Sequence, residues 1–168
     1  MVGIKSVKID GESLHVFKSA IYILVASSGF TLELGMIVSE VVVKKYRKVE
    51  NLIIEIELED GRIINSIMHL KIFSGGLPQL NLFCELDDIQ DYEDFDKLNE
   101  NDSWFPNIED GITLEEIRRV EMPNEEISLK LNLPIDQAEW LKNQKKASLN
   151  ELFKEFIHYY WEKQGLKK

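Results

Sequence analysis

From residue 54 the chain reads Ile-Glu-Ile-Glu-Leu-Glu, and Asp60-Gly61 follows at once. An alternation of period two can hide its apolar side chains only as a strand with one buried and one wetted face. Ile54, Ile56 and Leu58 therefore belong to a core, while Glu55, Glu57 and Glu59 belong to water. Asp-Gly between two strand-like runs predicts a hairpin closed by a type I′ turn, which needs positive φ at both central residues. One wetted face in turn favours an antiparallel sheet, either open or closed into a small barrel.

Similar apolar, β-branched runs cover residues 4–9, 20–26, 31–38, 41–46, 52–58, 62–73 and 80–86. They are punctuated by Asp10-Gly11, Ser28-Gly29, Asp60-Gly61 and Gly75-Gly76-Leu77-Pro78. The pattern predicts an antiparallel β meander. Gly35, inside an apolar run, is expected to mark a bulge or bend. His69 reads as a core residue of its strand, and Cys84 as a small buried thiol.

A chain of 168 residues makes one domain, or one with a small appendage. With 44% apolar and 10% aromatic residues it can bury a core, although 30% of it is charged. The single cysteine excludes an internal disulfide and a Cys-rich zinc site. No window approaches the roughly 18 apolar residues of a membrane span. The first ten residues lack the apolar run of a signal peptide, so the expected location is cytoplasmic with no membrane partner.

The formal charge of −10 argues against nonspecific nucleic-acid binding by the whole surface. It is, however, unevenly spread: residues 1–86 carry −1, residues 87–126 carry −12 and residues 127–168 carry +3. Such asymmetry points to a separate partner for the basic end. The expected organisation is a β-rich domain over 1–122, with an acidic segment at 87–122, followed by a separate unit over 123–168.

The acidic segment opens on Asp87-Asp88-Ile89-Gln90-Asp91-Tyr92-Glu93-Asp94-Phe95-Asp96. An EF-hand loop needs Gly at its sixth position and Glu at its twelfth, and neither fits, so no metal is expected. Tyr92, Phe95, Trp104 and Phe105 set the segment apart from a disordered acidic tail. Two uses stay open: a solvated face held by aromatic anchors, or carboxylates that occupy a basic groove of a protein partner or of the chain's own basic end. Thr113, with Glu116 three residues on, forms a capping box for a short helix, with Leu114, Ile117 and Val120 lining one face.

Residues 126–133 alternate strictly, with Ile127, Leu129, Leu131 and Leu133 on one side and Ser128, Lys130 and Asn132 on the other. This is the pattern of a strand with a polar readout face. Pro134 and Asp136 suit the first turn of a helix over about 135–143, whose buried positions would be Ala138 and Leu141. Ser148-Leu149-Asn150-Glu151 is a second capping box. Beyond it Leu149, Leu152, Phe153, Phe156, Ile157 and Tyr160 recur at helical spacing to about Lys163, before Gly165. This apolar surface exceeds what two helices can bury by themselves, so Leu152, Phe153, Phe156, Ile157 and Tyr160 are expected to form the core of a homodimer.

Strand, proline, short helix, tight turn and long helix in this order resemble the ribbon-helix-helix family of DNA-binding proteins, over residues 126–164 only. In that family two strands pair as a ribbon in the major groove while the helices interlock into a dimer. The resemblance implies that Ser128, Lys130 and Asn132 meet base edges. It also implies that Lys145, Lys146 and the N-terminus of the second helix, at Ala147 and Ser148, hold a phosphate. The chemistry is sound, since Lys can donate to guanine, Asn can pair with adenine, and helix N-termini attract anions. The family turn usually carries Gly; here, in the turn over 143–147, only Asn143 readily takes a left-handed conformation.

The expected fold is therefore α+β, an antiparallel meander followed by a C-terminal strand-helix-helix. Its expected function is that of a DNA-binding transcriptional regulator with a β-rich accessory domain. The alternative is a protein-interaction or inhibitor module whose acidic surface engages a basic partner, its C-terminal strand and helices packed on its own sheet. Catalysis is not expected: His15, His69 and His158 are scattered, and no G-x-S-x-G, P-loop, H-E-x-x-H or G-x-G-x-x-G occurs. No feature calls for a cofactor.

Overall fold

The computed structural model describes residues 2–71 and 76–165. The chain divides into two compact units, 1–125 and 126–168. In the first unit the strands are β1 (Ile4–Ile9), β2 (Glu12–Ser13), β3 (Lys18–Ala26), β4 (Gly29–Ile37), β5 (Asn51–Leu58), β6 (Ile63–Lys71), β7 (Gln79–Leu86) and β8 (Lys97–Asn99). They form one sheet in the order β2-β1-β5-β6-β7-β4-β3-β8, antiparallel except where β8 runs parallel to β3. The sheet is open, with β2 and β8 at its edges.

Alternation is what builds the core. Ile21 and Ile23, Leu32, Leu34 and Met36, Leu52 to Leu58 at every second residue, Met68, Leu80 and Leu82 all point inward and are buried. Val7 and Ile9 of β1 join the same cluster as β3, so the sheet curls until its inner face becomes one core. On the wetted face of β5 the glutamates pair across to β1, Lys5 with Glu57 and Lys8 with Glu55, each at 2.6 Å. These exposed pairs set register more than stability.

The two Asp-Gly turns differ. At Asp10-Gly11 both residues have positive φ, 51° and 83°, as a type I′ turn requires. At Asp60-Gly61 only Gly61 is left-handed, with φ 90°. Leu58 N–H donates to the Arg62 carbonyl and Gly61 N–H to the Leu58 carbonyl, at 2.9 and 3.0 Å, which makes a three-residue loop with a bulge at Gly61. The hairpin forms as the sequence predicts, but its turn type does not follow.

The run 41–46, expected as a strand, is instead helix α1 (Glu40–Tyr46). The Ser39 hydroxyl accepts the Val42 N–H, Glu40 sits in the first turn and Lys44 and Lys45 in the last, each complementing the helix dipole. Helical spacing lets Val42, Val43 and Tyr46 reach the core together, which strand alternation would split between two faces. Gly35 makes no bulge: β4 pairs with β3 and β7 in unbroken register through it. The reason for glycine is close approach, because a Cβ there would lie 3.3 Å from Asn81 Oδ1 and from Ile108 Cδ1. His69 is exposed, since its neighbour Met68 takes the inward position; its ring leans on Phe83, at a centroid separation of 5.3 Å. Cys84 is buried as expected, and burial pushes its thiol pKa up. The ends of the sequence runs at 72–73 and Gly75 lie outside the described residues.

The acidic segment is folded. Asp88 accepts the Gln90 N–H at the head of a single 3-10 turn (Gln90–Tyr92), and Phe95 inserts into the core with Tyr92 edge-on against it. Arg62 bridges Asp60 and Asp94 across the Phe95 ring. Downstream, Ile108 and Ile117 form a second small core with Ala20 and Ile37 on the outer face of the sheet. Ile117 belongs to α2 (Leu114–Val120), whose Thr113–Glu116 capping box forms in full. Val120, expected on the buried face of α2, is exposed. Arg118 holds Glu40 through two hydrogen bonds of 2.7 and 2.8 Å, and the Ser39 hydroxyl donates to Glu121, so α2 is tied to the start of α1.

Candidate nucleic-acid interface

Residues 126–133 take no regular secondary structure, although their side chains alternate as a strand's do. A strand exists only as part of a ladder, and no ladder among the described residues includes 126–133. Ile127 and Leu129 are 76% and 69% exposed, and Leu131 and Leu133 are also open to solvent. Ser128, Lys130 and Asn132 are exposed as well.

Two helices follow, α3 (Ile135–Lys142) and α4 (Lys146–Lys163). Pro134 caps α3, and Asp136 lies in its first turn. Ala138 and Leu141, expected to be buried, are its only half-buried positions, because in the single chain the pair of helices leaves its inner side open. Asn143 is right-handed, with φ −84°, so the turn between the helices does not use the left-handed conformation expected there. The chain turns instead with the Asn143 N–H on the Glu139 and Trp140 carbonyls and the Gln144 N–H on the Leu141 carbonyl.

The second capping box does not form. Helix α4 starts three residues earlier, with Lys145 as N-cap, which leaves Ser148 inside the first turn and Glu151 paired with Lys154 at 3.0 Å. The first intrahelical bond runs from the Leu149 N–H to the Lys145 carbonyl, so the N–H groups of Lys146, Ala147 and Ser148 find no acceptor within the helix. No acidic side chain lies in this first turn, while Lys145 and Lys146 flank it. Positive dipole end, open donors and two ammonium groups together suit an anion. Gly165, with φ 66°, ends the chain's last described turn.

The inner side of the helix pair is a groove of about 710 Å³, mostly apolar, lined by Leu133, Trp140, Leu141, Leu152, Phe153, Phe156, Ile157 and Tyr160 together with Asp136 and Gln137. No residue of the described part of this unit is fully buried. Phe156 stacks on Tyr160 at 6.4 Å and still leaves 58% of its surface open. The unit thus places the five predicted dimer-core residues on one apolar surface and leaves the three predicted base-contact residues and the phosphate-contact residues open to solvent. Sequence reasoning missed Trp140 and Leu133 as parts of the groove.

Among the described residues no three His, Cys, Asp or Glu side chains converge as a metal group, and no helix is long and apolar enough to cross a membrane. No family model, no curated protein and no solved structure matches this chain.

Proposed function

We propose that the chain is a DNA-binding regulator, a homodimer whose residues 126–164 form a ribbon-helix-helix-like DNA-reading unit joined to a β-rich accessory domain. One observation carries this reading. An alternating strand sequence without a ladder leads directly into two helices whose apolar sides form an unfilled groove. Both deficits have the same remedy. A second copy supplies a neighbour for 126–133 and fills the groove, and the self-complementary arrangement is that of a two-fold interface.

In the paired ribbon Ile127, Leu129, Leu131 and Leu133 face the helices, and Ser128, Lys130 and Asn132 project from the opposite side toward base edges. Lys130 donates to guanine O6 or N7, and Asn132 pairs with adenine N6 and N7. Lys145, Lys146 and the open N–H groups of Ala147 and Ser148 grip the flanking phosphate, fixing the dimer's position without reading sequence. The charge of +3 over residues 127–168, against −10 for the whole chain, favours DNA contact at this end alone. No step of this function is catalytic and none needs a cofactor.

The test is selection of duplexes from a random pool by the full chain, followed by substitution. On a selected site Lys130→Ala and Asn132→Ala should each cost about 1–3 kcal/mol and relax preference at the contacted pair. Lys145→Ala and Lys146→Ala should weaken all duplexes alike and reduce the salt slope. Failure of a folded dimer to enrich any site, or equal effects from all four substitutions, would refute the reading in favour of a protein-interaction module.

A further inference from the structure

A second concavity, of about 350 Å³, opens on the outer face of the sheet and is built wholly from the first unit. Register explains its walls. Tyr22 faces Glu33 across β3 and β4, Gly35 faces Asn81 across β4 and β7, and Asn81 faces Lys71 across β7 and β6. Phe105, carried over the sheet by the chain after β8, closes one side with its ring 6.4 Å from that of Tyr22. Glycine at position 35 keeps the floor low, because a larger residue would push on Asn81 and Ile108.

The polar groups are few and are arranged with care. Glu33 is 6% exposed, an unusual place for a carboxylate, and Lys71 Nζ holds it at 2.6 Å while lying over the Phe83 ring. The two charges cancel. Asn81 Nδ2 is buried and has no hydrogen-bond partner, the one such side-chain nitrogen or oxygen among the described residues. A buried donor without an acceptor lowers stability, and a leucine of nearly the same shape would avoid the loss. Such a group is retained where something else uses it.

We infer that this pocket binds a small, uncharged, planar molecule with a carbonyl and a ring N–H side by side, a lactam of about the size of a single heteroaromatic ring. The carbonyl accepts from Asn81 Nδ2, the N–H faces the Glu33 carboxylate, and the ring packs against the wall that Phe105 and Tyr22 form together, their own rings in edge-on contact. Neutrality follows from the compensated Glu33–Lys71 pair, which a charged ligand would have to break. Planarity follows from the side-by-side reach to Asn81 and Glu33 on the flat sheet face with an aromatic side wall, and size from a volume at the low end for ligand pockets. This inference does not rest on the DNA reading, and no duplex takes part in its test.

The experiment is a titration of the isotope-labelled full chain with uracil and with 2-pyridone, reading the Asn81 side-chain amide by NMR, with benzoate as a charged planar control. A saturable shift of that amide by a lactam at millimolar concentration, absent with benzoate, is expected. Asn81→Leu should weaken the lactam at least tenfold and raise the midpoint of thermal unfolding, because it removes an unsatisfied donor. Phe105→Ala, at a half-exposed position that folding tolerates, should weaken binding several-fold and supplies the check if Asn81→Leu does not fold. No shift with either lactam, equal binding by benzoate, or a lactam affinity unchanged in Asn81→Leu or in Phe105→Ala overturns the inference.

Discussion

Phe156→Asp is the substitution that weighs most on the proposed dimer. Phe156 leaves 58% of its surface open in the single chain. For an aromatic side chain that is about 120 Å². Its burial at about 25 cal/mol per Å² contributes roughly 3 kcal/mol per copy, and a two-fold interface counts it twice. Incomplete burial and lost side-chain freedom halve this to roughly 3 kcal/mol for the pair, so the dissociation constant should rise at least ~100-fold. Aspartate adds a charge that the interface would have to desolvate, which moves the result in the same direction. Sedimentation velocity over a dilution series reads the constant, and far-ultraviolet circular dichroism shows whether α4 keeps its helix. Ile53→Asp is the matched control, since Ile53 is equally exposed but sits on the wetted face of β5. Wild-type chain that stays monomeric at tens of micromolar, or a Phe156→Asp chain that associates as tightly as wild type, would show that the groove is not a dimer core.

Three further outcomes test the first unit. Ile117 is fully buried in the second core, so Ile117→Ala should cost about 2–5 kcal/mol in urea unfolding; a loss below about 1 kcal/mol would mean α2 is not packed as described. Ser39→Ala removes the α1 cap and the hydroxyl bond to Glu121, and should cost about 1–2 kcal/mol by the same assay, with no loss if α1 is held by packing alone. Burial, with the nearby Glu33 charge second, pushes the Tyr22 phenol from its ordinary value of 10.0 up to about 12. The folded chain therefore keeps a proton that the unfolded chain loses first, so this contribution is complete below pH 10 and is lost as pH rises toward 12. A difference titration of phenolate absorbance against Tyr22→Phe should place the ionisation of this tyrosine well above pH 10. Ionisation near pH 10 would mean that Tyr22 is solvated.

What period-two alternation determines, the sequence carried openly. It placed Ile54, Ile56 and Leu58 in the core, located β1, β3, β4, β5, β6 and β7, and made the unit antiparallel, because which side chains face inward is a local property of a strand. Capping was legible at Thr113–Glu116, where donor and acceptor are three residues apart on the same turn. The same signal failed at Ser148–Glu151, because helix α4 extends three residues farther back and Ser148 no longer stands at its start. The order of strands, with β4 beside β7, was decided by tertiary structure, since pairing joins residues some fifty apart that carry no mark of one another. Helix α1 also needed the fold: three consecutive valines favour a strand locally, and only the shape of the core makes Val42, Val43 and Tyr46 more useful on one helical face. The proposed base-contact and dimer-core residues of the second unit rest on a pattern of faces, because alternation and helical spacing sort side chains by themselves. The pocket at Asn81 was not, since its walls come from β3, β4, β6, β7 and the chain after β8, and its one unpaired donor exists only once those strands lie in register.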